Sequence, residues 1–511
     1  MLSIMSSKMS SVARGFCILT LCALLTEHAN ANRQDWQRED WTWLIVCCGI
    51  CAFCAAWGIG ANDVANAFAT SVGAKAITVK QAILFASVFE FCGAILMGSS
   101  VSKTIRKGIA DVKCFEDNPG LLIYGMTCVI IAVGLWLLIA SYYEMPVSTT
   151  HSTVGGIIGM TIMSRGKRCV IWNFTRNDYG NGTTNMGFDN FPWLDGVAEI
   201  VVSWILSPFA SGICAAILYS VTKYGILIWE DKSYLLAKIA FPIIVAFTAG
   251  VNTVFWIVKG TKGRPKRFRT SRYVRESKDG DLDSSVILGC YVALACGAFA
   301  AMLLIPISRW IEEDVKREAE EEAAADAKPV IATEEGDQKA DDAVKAVVPT
   351  EAHTTGYGEL GNYIVDELTH DPHRVVNQDE KVGAIHAHAR VYDRKTEGFF
   401  KYVQVFTAMV DSFSHGANDV ANAMGPFSAA YVAYRRGHVN KETDLKDTMT
   451  WILALGGFGI VVGLATYGYK IMTAMGVKLV AVTPSRGYCI ELGAAFVIIY
   501  GTAQGWPLST T

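Results

Sequence analysis

Apolar runs of about 20 residues, the length at which an α-helix crosses the hydrocarbon core of a bilayer, recur along this chain. Hydrophobic residues make up 51% of the 511 positions and charged residues only 18%. We therefore predict an all-α, polytopic membrane protein embedded in a lipid bilayer rather than a soluble enzyme. The predicted spans are 41–59, 81–98, 120–141, 197–220, 237–258, 285–308, 399–413, 451–469 and 488–506.

Residues 1–31 have the pattern of a secretory signal peptide. Lys8 and Arg14 precede the short apolar stretch GFCILTLCALL, and small residues at 29–31 fit a cleavage site. Cleavage there would place the mature N-terminus outside the cell. The alternative is an uncleaved anchor.

A hydrophilic segment at 309–398 divides the chain. It is rich in Ala, Asp and Glu and poor in aromatic residues, so we predict a disordered cytoplasmic loop. A short helix near the start of the loop would be compatible with this prediction. We assign 41–258 as a first transmembrane repeat, 259–284 as a basic linker and 285–308 as a connecting transmembrane helix. Residues 399–511 form a second, incomplete repeat. The net charge of −3 gives no indication of a nucleic-acid partner.

The octapeptide GANDVANA occurs twice, at 60–67 and at 416–423. Each copy is followed by a lone glutamate, Glu90 or Glu491, and then by a Pro-x-Ser-Thr-Thr element that begins at Pro146 or Pro507. The same order in both halves indicates an internal repeat.

Six of the predicted spans precede the cytoplasmic loop, and the shorter, interrupted apolar segment at 145–163 adds a seventh crossing between an external N-terminus and that loop. The second octapeptide therefore enters the membrane from the opposite side to the first, which predicts inverted-topology repeats. The sequons at Asn173 and Asn181 then lie outside, where they are candidate glycosylation sites. The basic linker at 259–284 also falls outside, against the usual preference of positive residues for the cytoplasm.

An ionised residue inside a bilayer is costly and typically faces a transport pathway or a partner. Glycine next to Asn and Asp predicts a broken helix, with one half ending near Gly60 and another starting near Asn62 or Asp63. Such breaks expose backbone groups that coordinate ions. The alternative is that these polar residues only join neighbouring helices. The candidate cation-binding residues are Asn62, Asp63, Asn418 and Asp419, with Asp63 and Asp419 as Na⁺ ligands.

The Pro-x-Ser-Thr-Thr elements suit an anion. Ser148 can cap a helix whose first turn contains Thr149 and Thr150, so that hydroxyls and free amides together bind an oxyanion. Ser509, Thr510 and Thr511 offer the same groups from the second half. A kinked helix with internally bonded hydroxyls is the alternative. Cations between Asp63 and Asp419 would offset their repulsion toward the anion and couple the two ions.

Four further residues carry weaker signals. Glu90 and Glu491 are candidates for a cation or proton site, and the alternative for each is a helix–helix hydrogen bond by a protonated carboxyl. His151 and His415 could donate to the anion or pack behind it. The closely spaced cysteines of the apolar runs, including Cys51 and Cys54, are interpreted as packing residues.

These motifs resemble those of the PiT family of inorganic phosphate transporters. The similarity includes GANDVANAFATSVGA, KTIRKGIADV, PVSTTH, SHGANDVANAMGP and PSRGYCIELGAAF, and covers 41–258 and 285–511 apart from an insert near 165–195. It implies that the chain is not an enzyme but a plasma-membrane symporter of phosphate with Na⁺ or H⁺, needing no other cofactor. By residue it implies a site at Asp63, Asn66, Asp419, Asn422 and the Ser-Thr-Thr elements, with functionally sensitive glutamates.

One departure from the family pattern is that the sequence stops at Thr511, inside the second Pro-x-Ser-Thr-Thr element, which predicts a truncated chain. The truncation and the long cytoplasmic loop favour one alternative function, a phosphate sensor or receptor with little transport. A sulfate carrier on the same scaffold is the alternative for the substrate. A membrane enzyme fits poorly, because no nucleophile–base arrangement accompanies the carboxylates. A homo-oligomer is compatible with the sequence.

Overall fold

A computed structural model describes residues 38–172, 196–260, 282–326, 371–439, 449–504 and 509. The signal peptide, most of the basic linker, Asn173, Asn181, Thr510 and Thr511 lie outside the described residues. The helices of the first half are α1 (Arg38–Asn62), α2 (Val64–Gly73), α3 (Val79–Lys107), α4 (Pro119–Tyr142), α5 (Thr149–Arg165), α6 (Gly196–Thr222), α7 (Ser233–Gly260), α8 (Leu282–Met302) and α9 (Leu304–Asp326). Those that follow are α10 (Arg374–Gln378), α11 (Glu380–Ala387), α12 (Arg394–Arg436), α13 (Met449–Thr473) and α14 (Pro484–Gln504).

Length and hydropathy identify six membrane-spanning helices in the described part of the chain, and a bent pair that can form a seventh. Five of the predicted spans, from 41–59 through 237–258, lie inside α1, α3, α4, α6 and α7. The predicted span at 285–308 is instead the bent pair, in which α8 and α9 meet at 51°. The all-α, polytopic fold class is therefore confirmed.

The two GANDVANA segments differ in backbone structure. The first is interrupted at Asp63, between α1 and α2, close to the predicted break. The second lies inside α12, which runs for 43 residues without interruption. The predicted end of that span at 413 and a break like the first are therefore wrong. Pro426 removes one backbone donor from the helix, and the carbonyl of Asn422, four residues earlier, accepts the hydroxyl of Thr153 at 3.2 Å instead.

Glycines set the distance between the central helices. An added Cβ at Gly60 would lie 1.8 Å from the carbonyl oxygen of Ile460, and one at Gly463 would lie 1.9 Å from that of Trp57. Glycine therefore allows α1 and α13 to pack with their backbones in contact. The same contact joins α3 and α12, where a Cβ at Gly93 would lie 2.0 Å from the carbonyl oxygen of Phe413.

Contacts between helix ends show how the long helices are arranged. The Arg38 guanidinium at the start of α1 donates to the carbonyl of Arg435 at the end of α12, at 2.8 Å. Hydroxyls of Ser233 and Thr396, at the starts of α7 and α12, lie 2.9 Å apart. The helices that carry the two octapeptides, α1 and α12, therefore run in opposite directions.

Part of the segment predicted as a disordered loop is ordered. Its beginning continues α9 to Asp326, and its end contains α10 and α11. Nε2 of His373 lies 3.0 Å from the carbonyl oxygen of Gly73, the last residue of α2, and Nε2 of His386 lies 2.9 Å from that of Val477. Residues 371–389 thus pack against the helix ends of both halves, and the prediction of disorder is wrong for them.

A disulfide joins Cys114 to Cys169 across 55 residues of sequence. It connects two short 3₁₀ turns, Val112–Phe115 and Lys167–Cys169, whose flanking residues form an antiparallel bridge. The Arg165 guanidinium at the end of α5 forms a bidentate ion pair with Asp117 beside this disulfide. Both cysteines lie outside the apolar runs whose cysteines are interpreted as packing residues, and their pairing was not predicted.

Candidate functional site

Asp63 lies at the interruption between α1 and α2 and is fully buried. Its Oδ2 accepts the Thr149 hydroxyl at 2.6 Å and the Thr149 backbone N–H at 3.4 Å. Its Oδ1 has no hydrogen-bond partner among the side chains and backbone that the structure describes. Buried carboxylate oxygens are nearly always paired, so this oxygen is a candidate ligand position for a cation.

Asp419 faces Asp63 from α12 and is also buried. Nδ2 of Asn422 lies 3.1 Å from Asp419 Oδ1, and Nε2 of His415 lies 2.6 Å from Asp419 Oδ2. Asp63, His415 and Asp419 each offer a ligand atom, and these atoms lie within 4.8 Å of one another. Two carboxylates and an unpaired oxygen inside one buried cluster fit a small cation, because hard cations prefer oxygen ligands.

The α5 N-terminus supplies the anion side of the site. Ser148 is its N-cap residue, as predicted, and accepts the N–H of His151 at 3.3 Å. The Ser148 hydroxyl also lies 2.8 Å from that of Ser509. The two Pro-x-Ser-Thr-Thr elements therefore meet at their serines, at a helix end whose partial positive charge favours anions.

Asn422 connects the cation and anion sides. Its Nδ2 lies 2.9 Å from the hydroxyl of Thr149 and 3.1 Å from that of Thr150, in addition to its contact with Asp419. Thr149 in turn donates to Asp63. The Asp63–Thr149–Asn422–Asp419 chain of hydrogen bonds thus joins the first repeat to the second. The side chain of Asn66 lies outside the described residues, and Asn418 is buried beside the cluster.

Asn62 is not one of the residues of the Asp63–His415–Asp419 cluster. Its Nδ2 donates to the Ser141 hydroxyl at 3.1 Å and to the Met145 carbonyl at 3.0 Å, and its Oδ1 accepts the Val147 N–H at 3.0 Å. All of these partners lie at the end of α4 or in the turn before α5. Asn62 therefore holds the turn that presents Ser148, which replaces the predicted role in cation binding.

Glu90 is buried in α3, directly against α12. One carboxylate oxygen accepts the Ser412 hydroxyl at 3.1 Å, and the other lies 3.1 Å from Nδ1 of His415. His415 thus separates Glu90 from Asp419, and Glu90 is not one of the residues of the cation cluster.

Glu491 lies in α14, in a separate buried cluster. Its carboxylate accepts the hydroxyls of Thr70 at 2.5 Å, of Ser71 at 3.2 Å and of Thr407. The prediction that Glu90 and Glu491 occupy equivalent positions in the two repeats is wrong. Glu90 lies in the helix that directly follows a GANDVANA segment, whereas Glu491 lies in the helix that directly precedes a Pro-x-Ser-Thr-Thr element.

The two histidines, His151 and His415, have different surroundings. The His151 ring packs on Trp204, with ring centroids 3.9 Å apart, whereas His415 is in the centre of the charged cluster.

The partners of the glutamates were missed, although the sequence holds a signal for them. Polar residues of α12 recur every three or four positions and so occupy one helical face; they are Gln404, Thr407, Asp411, His415, Asp419 and Asn422.

Buried carboxylates beside a hydroxyl-lined helix N-terminus, in a bundle of membrane-spanning helices, define a membrane transporter for small ions. The model of the phosphate transporter family, PHO4, matches residues 59–511. The chain therefore belongs to the phosphate transporter family, and the resemblance inferred from its motifs is confirmed.

Individual relatives agree with this assignment. The phosphate-repressible phosphate permease pho-4 of Neurospora crassa is 31% identical, over 89% of this chain and 86% of the permease. A putative phosphate permease of Pyrococcus horikoshii is 32% identical, over 92% of this chain and 86% of its own length. A solved structure described as the sodium-dependent phosphate transporter matches with a TM-score of 0.61 and 26% identity, over 92% of this chain and 86% of that one.

Proposed function

We propose that this protein carries inorganic phosphate across the plasma membrane in symport with Na⁺. The observation that carries the proposal is the unpaired, buried Oδ1 of Asp63 beside the hydroxyl-lined N-terminus of α5. A cation at that oxygen and a phosphate at the helix end would be neighbours. The similarity to a structure described as a sodium-dependent transporter supports Na⁺ over H⁺.

Phosphate would bind where the two serines meet. The N-terminus of α5 carries a partial positive charge, and the hydroxyls of Ser148, Thr149 and Thr150 are neutral donors; both suit a doubly charged oxyanion. Ser509, with Thr510 and Thr511 beyond it, completes the second side. Asn422 would donate from α12, and Asn66 remains a residue that the family resemblance predicts for the site.

The cation would couple transport by electrostatics. Without it, Asp63 and Asp419 repel an incoming phosphate through a medium of low dielectric constant. With it, the negative charge that faces the anion is reduced, and each ion raises the affinity of the other by the same factor. The protein would therefore carry phosphate efficiently only when the cation is bound.

Alternating access would follow from inverted repeats. The opposite directions of α1 and α12, and the matched glycine contacts of α1 with α13 and α12 with α3, support this arrangement. The site lies where the two repeats meet, as in other transporters built in this way. Rocking of one repeat against the other would expose the ions to one side and then the other.

The disulfide supports the orientation. Cys114 precedes α4, and a Cβ at Gly120 in the first turn of α4 would lie 2.2 Å from the Trp41 ring in the first turn of α1, so the disulfide lies at the same end of the bundle as the start of α1. Disulfides persist in oxidising compartments, so this end would face outward. An external N-terminus and a cytoplasmic central loop follow, with glycosylation at Asn173 and Asn181 remaining a prediction.

Uptake of labelled phosphate in cells that lack their own phosphate carriers tests the proposal. We expect uptake by the wild-type protein to depend on Na⁺, to fall when choline replaces it, and to resist competition by sulfate. The pair Asp63→Asn with Asp419→Asn should abolish uptake at wild-type surface abundance. Unchanged uptake in that double variant would contradict the mechanism, effective competition by sulfate would favour the sulfate carrier, and phosphate binding without uptake would favour a sensor.

A further inference from the structure

The buried pair of Glu90 and His415 has an apolar counterpart in the other repeat. A Cβ at Gly416 would lie 2.2 Å from the carbonyl oxygen of Glu90, just as a Cβ at Gly60 would lie 1.8 Å from that of Ile460. Since Gly60 and Gly416 begin the two identical octapeptides, Ile460 corresponds to Glu90.

The same alignment places Ile59 opposite His415, because each residue directly precedes its octapeptide. Ile59 and Ile460 are both completely buried. The α1–α13 interface is thus filled at these positions by two isoleucines, whereas the α12–α3 interface holds a carboxylate and an imidazole. An aliphatic pair is sufficient to pack such an interface, so packing does not explain the charged one.

The geometry of His415 gives a reason for the charged pair. Its Nδ1 lies 3.1 Å from Glu90 and its Nε2 lies 2.6 Å from Asp419. The second oxygen of Glu90 is held by Ser412 at 3.1 Å. All three charged side chains are at most 3% exposed. Glu90 therefore holds the imidazole through Nδ1, and Nε2 of the imidazole is in close ion-pair contact with Oδ2 of Asp419 without the direction of a hydrogen bond.

We infer that His415 is a positioning residue, which ties Glu90 to Asp419 and orients the Asp419 carboxylate for the coupling cation. Glu90 then acts through His415 rather than as a cation ligand itself. The inference rests on the proposed cation symport. It also explains an asymmetry, since Oδ2 of Asp419 is in close contact with an imidazole, whereas Oδ1 of Asp63 has no hydrogen-bond partner among the described residues.

The test transfers the apolar pair from one interface to the other. The double variant Glu90→Ile with His415→Ile recreates the Ile59–Ile460 packing and leaves no buried charge of the pair unmatched. A matched control, Ile59→Val with Ile460→Val, disturbs packing at the equivalent place without changing any charge. If the double variant is not recovered in membranes, Glu90→Gln with His415→Gln replaces it, because both amides can still form hydrogen bonds.

Two constants are measured in the full chain: the Na⁺ concentration for half-maximal uptake, and the KM for phosphate at saturating Na⁺. Removing the group that orients a metal ligand commonly lowers metal affinity by about 10- to 100-fold. We expect the Na⁺ constant to rise at least about tenfold, the phosphate KM to stay within about threefold, and the control to keep both. A wild-type Na⁺ constant in the double variant would show that the pair only packs, and would overturn the inference.

Na⁺-dependent thermal stabilisation of the purified protein separates this inference from the proposed function. It needs no phosphate and no transport. The double variant should require at least about tenfold more Na⁺ than wild type for the same stabilisation. Stabilisation at the wild-type Na⁺ concentration overturns the positioning role, whereas absence of phosphate uptake by the wild-type protein overturns only the proposed substrate.

Discussion

Ser148 shows how one residue serves both local structure and the site. It caps α5 through the N–H of His151, and its hydroxyl meets that of Ser509 from the second repeat. The cap orients the amides of the first turn, and the contact between serines sets the distance between the two Ser-Thr-Thr elements. Both effects bear on the same anion.

Replacing Ser148 by alanine should therefore weaken phosphate binding more than it weakens the fold. Loss of the N-cap costs about 1 kcal/mol of stability. Loss of a hydrogen bond to a charged ligand costs about 1.5–3 kcal/mol, so we expect the KM for phosphate to rise about tenfold or more. Uptake kinetics at saturating Na⁺ measure this change.

Ser152→Ala is the matched control for that substitution. Its hydroxyl donates to the Ser148 carbonyl within the same helix, at 2.9 Å, and has no contact with the second repeat among the described hydrogen bonds. We expect a near wild-type KM for this variant. An equal rise in both variants would assign the effect to the stability of α5 alone.

At the scale of helices, close packing depends on glycine. A methyl group at Gly463 would lie 1.9 Å from the carbonyl oxygen of Trp57, which belongs to the rigid backbone of α1. Gly463→Ala should thus force α13 away from α1 and cost about 1–3 kcal/mol of stability. The measurement is thermal unfolding of the purified protein.

Gly212→Ala provides the comparison for this helix substitution. A Cβ at Gly212 meets no atom within 4 Å, so alanine there should be neutral or stabilise α6 through its higher helix propensity. Equal destabilisation by both substitutions would contradict the packing argument.

The docked segment 371–389 predicts a dependence on pH. Burial is the main cause that lowers the pKa of His373 below its ordinary value of 6.5, and the nearby Lys75 acts in the same direction, while the carbonyl of Gly73 and Asp371 oppose them. A lowered pKa means that docking favours the neutral ring. The contribution is complete above pH 6.5 and is lost as the pH falls through the lower pKa of the docked state.

Hydrogen exchange of residues 371–389 measures this effect. We expect exchange in the segment to become faster as the pH is lowered from 7.5 to about 5, after correction for intrinsic rates. His373→Gln should abolish the difference, because glutamine can donate to the carbonyl of Gly73 but does not titrate. A pH response that persists in this variant would exclude His373 as its origin.

For the whole molecule, the disulfide gives a test of orientation. In intact cells, Cys169→Ser should leave the partly exposed Cys114 open to a membrane-impermeant maleimide, because the two residues lie at the end that we assign to the outside. The wild-type protein should not be modified at either position. Labelling that requires permeabilised cells would reverse the assigned orientation and place the central loop outside.

Several parts of the molecule could be predicted because they depend on local sequence. The spans follow from the length of each apolar run, the interruption at Asp63 from neighbouring polar residues, and the α5 cap from Ser148. Other parts depended on distant residues. α12 continues through Pro426 because a hydroxyl from α5 satisfies the freed carbonyl of Asn422, and the partner of Cys114 lies 55 residues away.

The sequence by itself determined the class of protein, since apolar length and two identical motifs require a membrane protein with an internal repeat. It also determined the chemistry available, with two carboxylates for a cation and two sets of hydroxyls for an anion. Only the tertiary structure decided how these groups are shared. Order along the chain predicted that Glu90 and Glu491 are equivalent, whereas in the folded protein Glu90 contacts His415 and the residue equivalent to Glu90 in the other repeat is Ile460. Contacts across an interface depend on which helix faces meet and not on sequence order.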